Sequence, residues 1–467
     1  MNVLLVTVDS LRADRVNSEV MPETRSFADE SVEFTDCVAN GPSTPASFPT
    51  IHASRYFASI EGLGIPEPGT DDGIQTLAET LREAGYATAG YTDNHFASGS
   101  YHYDRGFDTM YDASGTAEAG KLKQFVQSNL DKSGALFKTI ERVYNHADAL
   151  FASATGNDSE YERASSLNRR AFEWIDEQEE GADGEDSEGD SEWFTWLHYM
   201  DAHHPYEAPE EFQRQFLDEP LDLARCRGLS RKGTHHPEEM TDEEWDLIRK
   251  LYDAECAYVD DQFGKVLNAL ENRDLLDETI VLFTADHGEL VGEHQHAGHP
   301  PEFWEGVLRV PFVVHHPERE AAVVDGQTRL IDLPPTITDA LELEAFDGWE
   351  GESAWELADG EVDSREYGFA DVGRQVDYAR CCARRSDGWK LMRHADDGEF
   401  CFDYRANPDE KPEDDRADDD IPEYRELSQA LDDHQERMKQ MREGSSHGID
   451  EDDEMVEDHL KDLGYLE

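Results

Sequence analysis

Residues 279–289 read TIVLFTADHGE, a seven-residue run of strand composition leading straight into Asp286, His287, Gly288 and Glu289. An apolar run with no polar alternation suits a strand buried on both faces, as in a parallel sheet covered by helices. The abrupt switch then leaves a carboxylate and an imidazole side by side at the strand's carboxyl end. Hard oxygen and nitrogen donors so placed suit a divalent cation, and the pair is read as metal-binding in preference to a structural Asp-His turn.

Two further segments end in the same way. NVLLVTVDS (2–10) runs into Asp9, and WFTWLHYMDAHH (193–204) into Asp201, His203 and His204. Ligands of an open α/β sheet bind beyond the carboxyl ends of its strands, so three such endings, distant in sequence, converge on one crevice. Taken alone, Asp9 reads more readily as a helix N-cap, since DSLRAD also fits a strand-to-helix turn. The convergence assigns it to the site. The loop after His287 adds His294, His296 and His299. Spacing does not rank these three, and at least one is read as a solvated loop histidine.

YATAGYT (86–92) and VPFVVH (310–315) are also of strand composition, with helical patterns between most of the runs. The fold class is therefore α/β, a mainly parallel central sheet flanked by helices. Asn94 and His95 follow one strand end, where they either line the pocket or shape the loop. YDAECAYVDDQFGKVL (252–267) has apolar residues at helical spacing and reads as a core-facing helix, with Asp260 and Asp261 capping or solvated. DRGFD (104–108) fixes a loop in which Arg105 is available to an acid.

A mostly helical excursion spans about 115–178, followed over 178–192 by an acidic, Gly/Ser-rich stretch read as an exposed loop without chemistry. From about 356 the pattern changes to short alternating strands (YARCCARR, WKLMRH, EFCFDY), then a charged helix and an acidic tail. The expected division is a catalytic domain over 1–355 and a small α+β domain over 356–467.

The 467 residues include 107 acidic against 41 basic ones, a formal charge of −66. So large an excess, spread along the chain, repels itself and needs dense counterions. It reads as a halophile's cytosolic protein, since molar salt shortens the screening length to about 3 Å. Nucleic acid and anionic membranes are excluded as partners. The N-terminus lacks a basic leader, and no apolar run approaches the roughly 20 residues of a membrane span, so cytoplasmic residence is expected. Cys37, Cys226, Cys256, Cys381, Cys382 and Cys401 lack C-x-x-C spacing and read as reduced thiols.

TPASFPTIHASRY (44–56) places Ser47 just before Pro49. Proline favours the first turn of a helix, which would set the Ser47 hydroxyl at a positive helix end suited to an oxyanion. Two readings stand: a simple N-cap, or a nucleophile held as alkoxide beside a cation.

Taken in order, LLVTVDSLRAD, TPASFPTIHAS, YDRGFDTMYD, LHYMDAHHPYEAP, YDAECAYVDDQFGKVL, VLFTADHGELVGEH, LRVPFVV, DGWKLMRH and FDYRANPDE resemble the sulfatase family of the alkaline-phosphatase superfamily, of a haloarchaeal type. The resemblance implies one divalent cation held by Asp9, Asp286 and His287 with the Ser47 oxygen. Calcium or magnesium is foremost, with manganese and zinc as alternatives. It places Ser47 where sulfatases carry the residue oxidised to formylglycine. His203 corresponds to a histidine contacting the substrate anion or leaving group, and His299 to a position that is often lysine.

Three departures accompany it. Ser10 stands where many sulfatases have a second aspartate, Ile51 replaces the arginine of the maturation motif, and His299 removes a fixed positive charge. Formylglycine at residue 47 is thereby put in doubt. The implied activity is metal-dependent cleavage of a sulfate ester on a small molecule or glycan, with catalytic residues Ser47, His203 and His299. Ser10, Asn94, His95 and His204 are pocket candidates. The alternatives are a phosphodiesterase, phosphonate monoester hydrolase or phosphoryl head-group transferase on the same apparatus, and a non-catalytic anion-binding homologue.

Overall fold

The computed structural model describes residues 1–60, 63–67, 73–113, 159, 161–182, 192–372, 380–395, 398–419 and 421–442. Eight strands form the large sheet: β1 (Asn2–Val8), β2 (Val32–Phe34), β3 (Ala87–Thr92), β4 (Thr109–Asp112), β5 (Trp193–Tyr199), β6 (Thr279–Ala285), β7 (Phe312–His315) and β8 (Ala322–Val324). Their spatial order is β8-β2-β7-β6-β1-β5-β3-β4. Only β7 runs antiparallel to its neighbours, β6 and β2. β1, β5 and β6 are buried at every position, which accounts for their unbroken apolar composition.

Register carries this core to the site. Val8 of β1 pairs with Tyr199 of β5 and with Ala285 of β6, so the next residues along, Asp9 and Asp286, emerge side by side at the carboxyl edge. A helix over Pro22–Asp29 (α1) follows β1, a second (α2) spans Thr44–Ala53, a third (α3) Ala164–Ala182, and the longest (α4) Asp242–Glu271. α4 contains the stretch expected to face the core, with Leu251, Tyr252, Val259, Phe263 and Val266 buried. Asp260 is a cap, though for another helix: its carboxylate accepts from the Glu23 and Thr24 N–H groups and the Thr24 hydroxyl at the start of α1. Asp261 is paired with Lys265 on the surface of α4. Arg105 does meet an acid, Glu79, and also donates to the Pro66 and Ile74 carbonyls.

The helix expected to end near 178 continues to Ala182, because Glu177–Glu180 is rich in good helix formers. The rest of the acidic stretch, residues 115–158 of the helical excursion and the tail beyond 442 lie outside the described residues.

Four antiparallel strands in simple meander order, β9 (Tyr367–Asp371), β10 (Arg380–Arg385), β11 (Trp389–His394) and β12 (Gly398–Asp403), form the small C-terminal sheet. A helix over Pro422–Arg442 (α5) lays Leu427 and Leu431 against Cys381, Leu391 and Cys401 of that sheet. The same helix carries Met438 onto Tyr56, Ala58 and Ile331 of the main body. All six cysteines are free thiols buried in these cores.

Candidate active site

At the carboxyl edge of β1 and β6, Asp9 and Asp286 face each other in full burial. The turn after β1 fixes both. Ser10 adopts a left-handed backbone (φ 62°), so its N–H reaches Asp286 Oδ1 at 3.2 Å while its hydroxyl donates to Asp9 Oδ1 at 3.0 Å. Tyr252 of α4 clamps the turn by donating to the Ser10 carbonyl at 2.8 Å. Asp9 thus accepts from the side chains around the carboxylate pair and is not the cap of the helical turn that follows, whose N-cap is Arg12. Gly288 is required by close packing, since a Cβ there would stand 2.2 Å from the Gly306 carbonyl oxygen.

Around the carboxylates lie two buried imidazoles. His287 Nε2 is 3.5 Å from Asp286 and 3.7 Å from Asp9, and His198 Nε2 is 3.6 Å from Asp9. His287 Nδ1 lies 2.9 Å from the Gly288 carbonyl, which can only accept. Its proton is therefore on Nδ1, and the Nε2 lone pair points at the carboxylates, the orientation of a metal-ligating histidine.

Burial works to raise both carboxyl groups. At Asp9 the imidazoles of His203, His198 and His287 outweigh it and hold the group well below the usual range. At Asp286 burial, reinforced by the Asp9 charge, pushes the group up to about 6. His287 is raised, because the Asp286 and Asp9 charges overcome the burial that would lower it.

These residues fit a divalent cation. One donor atom each from Asp9, His198 and Asp286 lies within 4.8 Å of the others, and Nε2 of both His198 and His287 is buried without a hydrogen-bond partner. A cation would satisfy both nitrogens and separate the two like charges.

The hydroxyl at this point belongs to Thr44, not to Ser47. Thr44 Oγ1 donates to Asp286 Oδ2 at 2.9 Å, lies 3.3 Å from Asp9 Oδ2, and receives Asn94 Nδ2 at 3.3 Å. Asn94 also donates to Asp9 Oδ2 at 2.7 Å, which ties it to the carboxylate pair. Ser47 is a turn further along α2, buried, with its hydroxyl on the Gly41 carbonyl at 2.9 Å. The reason is where the helix begins. Ser43 is its N-cap, Pro45 occupies the first turn, and Pro49 lies inside the helix. Ser47 is therefore not the N-cap, its hydroxyl is engaged by the Gly41 carbonyl, and Ile51 is a core residue.

A second group stands beside the first. His203, His204 and His299 each bring a ring nitrogen within 4.8 Å of the others, and the His287 and His299 rings are 4.4 Å apart. Burial, then the neighbouring His204, lowers His203 to about 4; burial, then His287 and His203, lowers His299 well below the ordinary range. Asp201 lies apart, paired with Arg163 and capping α3 at the Ala164 N–H. His95 packs on Tyr101 and Phe96, and His294 stacks on Trp304.

Sequence reasoning missed Thr44 and His198. Thr44 was concealed by the second proline. His198 lies inside an apolar strand, where a lone histidine at a register position beside Thr7 was the one available signal.

The fold is shared with solved structures. A phosphonate monoester hydrolase of Agrobacterium radiobacter matches at TM-score 0.65 and 20% identity, over 94% of this chain and 96% of that one. A protein solved with its substrate D-glucosamine-2-N,6-O-disulfate matches at TM-score 0.66 and 17% identity, over 94% and 98%.

The chain belongs to the sulfatase family, whose model matches residues 1–343. Its relatives include the uncharacterized sulfatase YidJ of Escherichia coli (strain K12), 25% identical over 70% of this chain and 64% of that protein. The choline-sulfatase of Rhizobium meliloti (strain 1021) is 27% identical over 48% and 46%, and arylsulfatase K of Gallus gallus 32% identical over 37% and 34%. The chain thus spans less than two thirds of the length of each. Members of the family generally bind a divalent metal, for which Asp9, His198 and Asp286 form one candidate ligand group. Among the described residues no helix is long and apolar enough to cross a membrane.

Proposed function

We propose that the chain is a metal-dependent sulfuric ester hydrolase with Thr44 as its nucleophile. The observation that carries this reading is the Thr44 hydroxyl donating to Asp286 at 2.9 Å, at the edge of the carboxylate pair. A divalent cation, calcium or magnesium, held by Asp9, Asp286 and His287 with His198 beside them, would favour the alkoxide and offset charge on the ester oxygens. Thr44 Oγ1 attacks sulfur in line as its proton leaves along the hydrogen bond to Asp286. The bond from sulfur to the alcohol oxygen breaks, and water then releases sulfate and restores the hydroxyl. Asn94 orients Thr44 and Asp9, Ser10 orients Asp9 and Asp286, and His203 and His299 line the site as neutral imidazoles while the departing alcohol oxygen takes its proton from water.

Thr44 acts unmodified in this reading. Oxidation of a secondary alcohol gives a ketone, not the aldehyde that formylglycine requires. That observation favours a second reading, in which the same residues cleave a phosphorus ester. Phe48, one turn after Thr44, packs on His198 and Trp196 and adds no positive charge to an anion pocket. The substrates proposed are small sulfated metabolites or glycan esters, taken up by a catalytic region over 1–355 with the small domain over 356–467 completing its outer wall. The charge of −66 fits work in molar salt inside a halophile's cytoplasm.

The test is turnover of an aryl sulfate, an aryl phosphate monoester and an aryl phosphodiester in molar salt with magnesium or calcium. Preference for the sulfate, lost in Thr44→Ala and on confirmed metal removal, supports the leading reading. Preference for a phosphorus ester moves the assignment to the second. Retained turnover in Thr44→Ala refutes both.

A further inference from the structure

We infer that Arg231, on the exposed side of the helix over Leu223–His235, forms an anion subsite at the rim of the active site beside His204, and takes a second anionic oxygen group of a multiply charged substrate, a sulfate or a carboxylate. The first observation is one of charge. In a chain where acids outnumber bases 107 to 41, no acid stands between Asp222 and Glu238, and the same stretch carries Arg225, Arg227, Arg231 and Lys232. Packing accounts for three of these cations. Arg225 and Lys232 pair with Glu244 at 3.3 and 2.6 Å, and Arg227 with Glu207 at 3.2 Å. Arg231 is exposed, and among the described residues no carboxylate pairs with it. It also precedes the last turn, where Lys232 and His235 already complement the helix dipole.

The second observation is where Arg231 faces. The helix is fastened to the segment after His203: Arg227 reaches Glu207, and Ser230 Oγ accepts from the Tyr206 N–H at 3.3 Å. Its last turns pack on Ala297 and Gly298, which lead into His299. A Cβ on Gly233 would stand 2.8 Å from Ala297 Cβ, and Thr234 Oγ1 and His204 Cε1 lie 3.5 and 3.6 Å from where a Cβ on Gly298 would be. Arg231 is four residues after Arg227 and three before Thr234, so the three share the flank turned towards residues 204–207. His235 follows Arg231 by one turn; burial lowers it, and His204, His236 and Arg231 lower it further, which puts these groups in one electrostatic neighbourhood. A guanidinium there offers a planar pair of donors matched to a sulfate or carboxylate, and a second negative charge meets a cation where most of the surface would offer an acid. Its role as a substrate subsite rests on the proposed hydrolysis; its affinity for an anion does not.

The test measures calorimetric binding of uncleavable probes to the full chain with magnesium in molar salt, which screens the overall charge and leaves direct contacts. The probes are a hexosamine with a methylenesulfonate in place of one sulfate ester, the same sugar with a second such group, and a disaccharide joining the first probe to a uronate. At least one of the doubly charged probes should bind about five- to tenfold tighter than the singly charged one. Arg231→Gln should abolish that gain and leave the singly charged probe within about twofold, whereas Arg225→Gln, which removes the same charge from the same helix, should keep it. A gain from the second sulfonate assigns the subsite to a sulfate, and a gain from the uronate to a carboxylate. No gain with either probe, a gain that survives Arg231→Gln, or equal weakening of all three probes in that variant would overturn the inference. No probe is cleaved, so failure of the hydrolase reading is seen separately, in turnover of the esters.

Discussion

Where the C-terminal sheet meets the main body, Lys390 and Arg384 are buried among Asp36, Glu305 and Glu410. At the carboxyl edge of β1 and β6, Asp9 and Asp286 are as deeply buried, yet among the described residues no lysine or arginine pairs with either. The seam compensates its own charge. Arg384 donates to Asp36 at 2.8 Å, to Glu305 at 3.0 Å and to Gln327 at 2.5 Å, and Lys390 reaches the Phe303 carbonyl at 2.6 Å. Glu305 is consequently held down to about 2, burial notwithstanding, by Arg384 and Lys390. The crevice keeps an uncompensated negative charge bounded by neutral donors. A closed network of ions stabilises a packing arrangement, whereas an open one is stable only with something bound, and that difference separates scaffold from site.

Removing groups from the open cluster should cost function first. Thr44→Ala is expected to lower kcat by at least about 10³-fold, as for other nucleophile deletions, while Ser47→Ala stays near wild type in steady-state assays. Asp286→Asn should lower kcat/KM by about 10³-fold, because several kcal/mol of charge stabilisation depend on the cation it helps hold. The binding defect should be visible by calorimetry with magnesium or calcium.

The closed cluster should respond in stability. Lys390→Met leaves Glu410 without its buried cation and Glu305 with Arg384 alone, and is expected to cost about 3–5 kcal/mol in denaturant unfolding. An equal loss of stability in Asp286→Asn measured without metal would erase the contrast. A pH-dependent effect comes from Asp371 at the end of β9, where burial pushes the carboxyl up to about 8 against an opposing Ala58 N–H. Its folded form then keeps a proton that the unfolded chain has lost above about pH 4. Stability should therefore fall as pH rises from about 4 to 8, by at most about 1.4 kcal/mol per unit from this group, and Asp371→Asn should flatten that slope.

What could be read in the sequence followed the strands. Continuous apolar runs gave β1, β5 and β6 to within a residue, and their polar endings gave Asp9, Asp286 and His287, because in a parallel sheet position along the strand dictates position in the crevice. Three strands of the small sheet and its helix were legible from alternation and a change of composition, whereas β9 was not read. The hydroxyl was not, since STPASFP offers two prolines and three hydroxyls, and only the Ser43 cap decides which one reaches Asp286. His198 was hidden by its own strand, and the pairing of Glu289 with His204 and Tyr206 is a tertiary contact with no local signature.

The measurement that bears most directly on this account is mass spectrometry of the active-site peptide after rapid quenching from turnover of an activated sulfate or phosphate ester. The expected result is a single sulfo or phospho group on Thr44, with residues 43–47 otherwise unmodified. The same group on Ser47, or an aldehyde at Ser43 or Ser47 in the untreated protein, would contradict the assignment of Thr44 as the nucleophile.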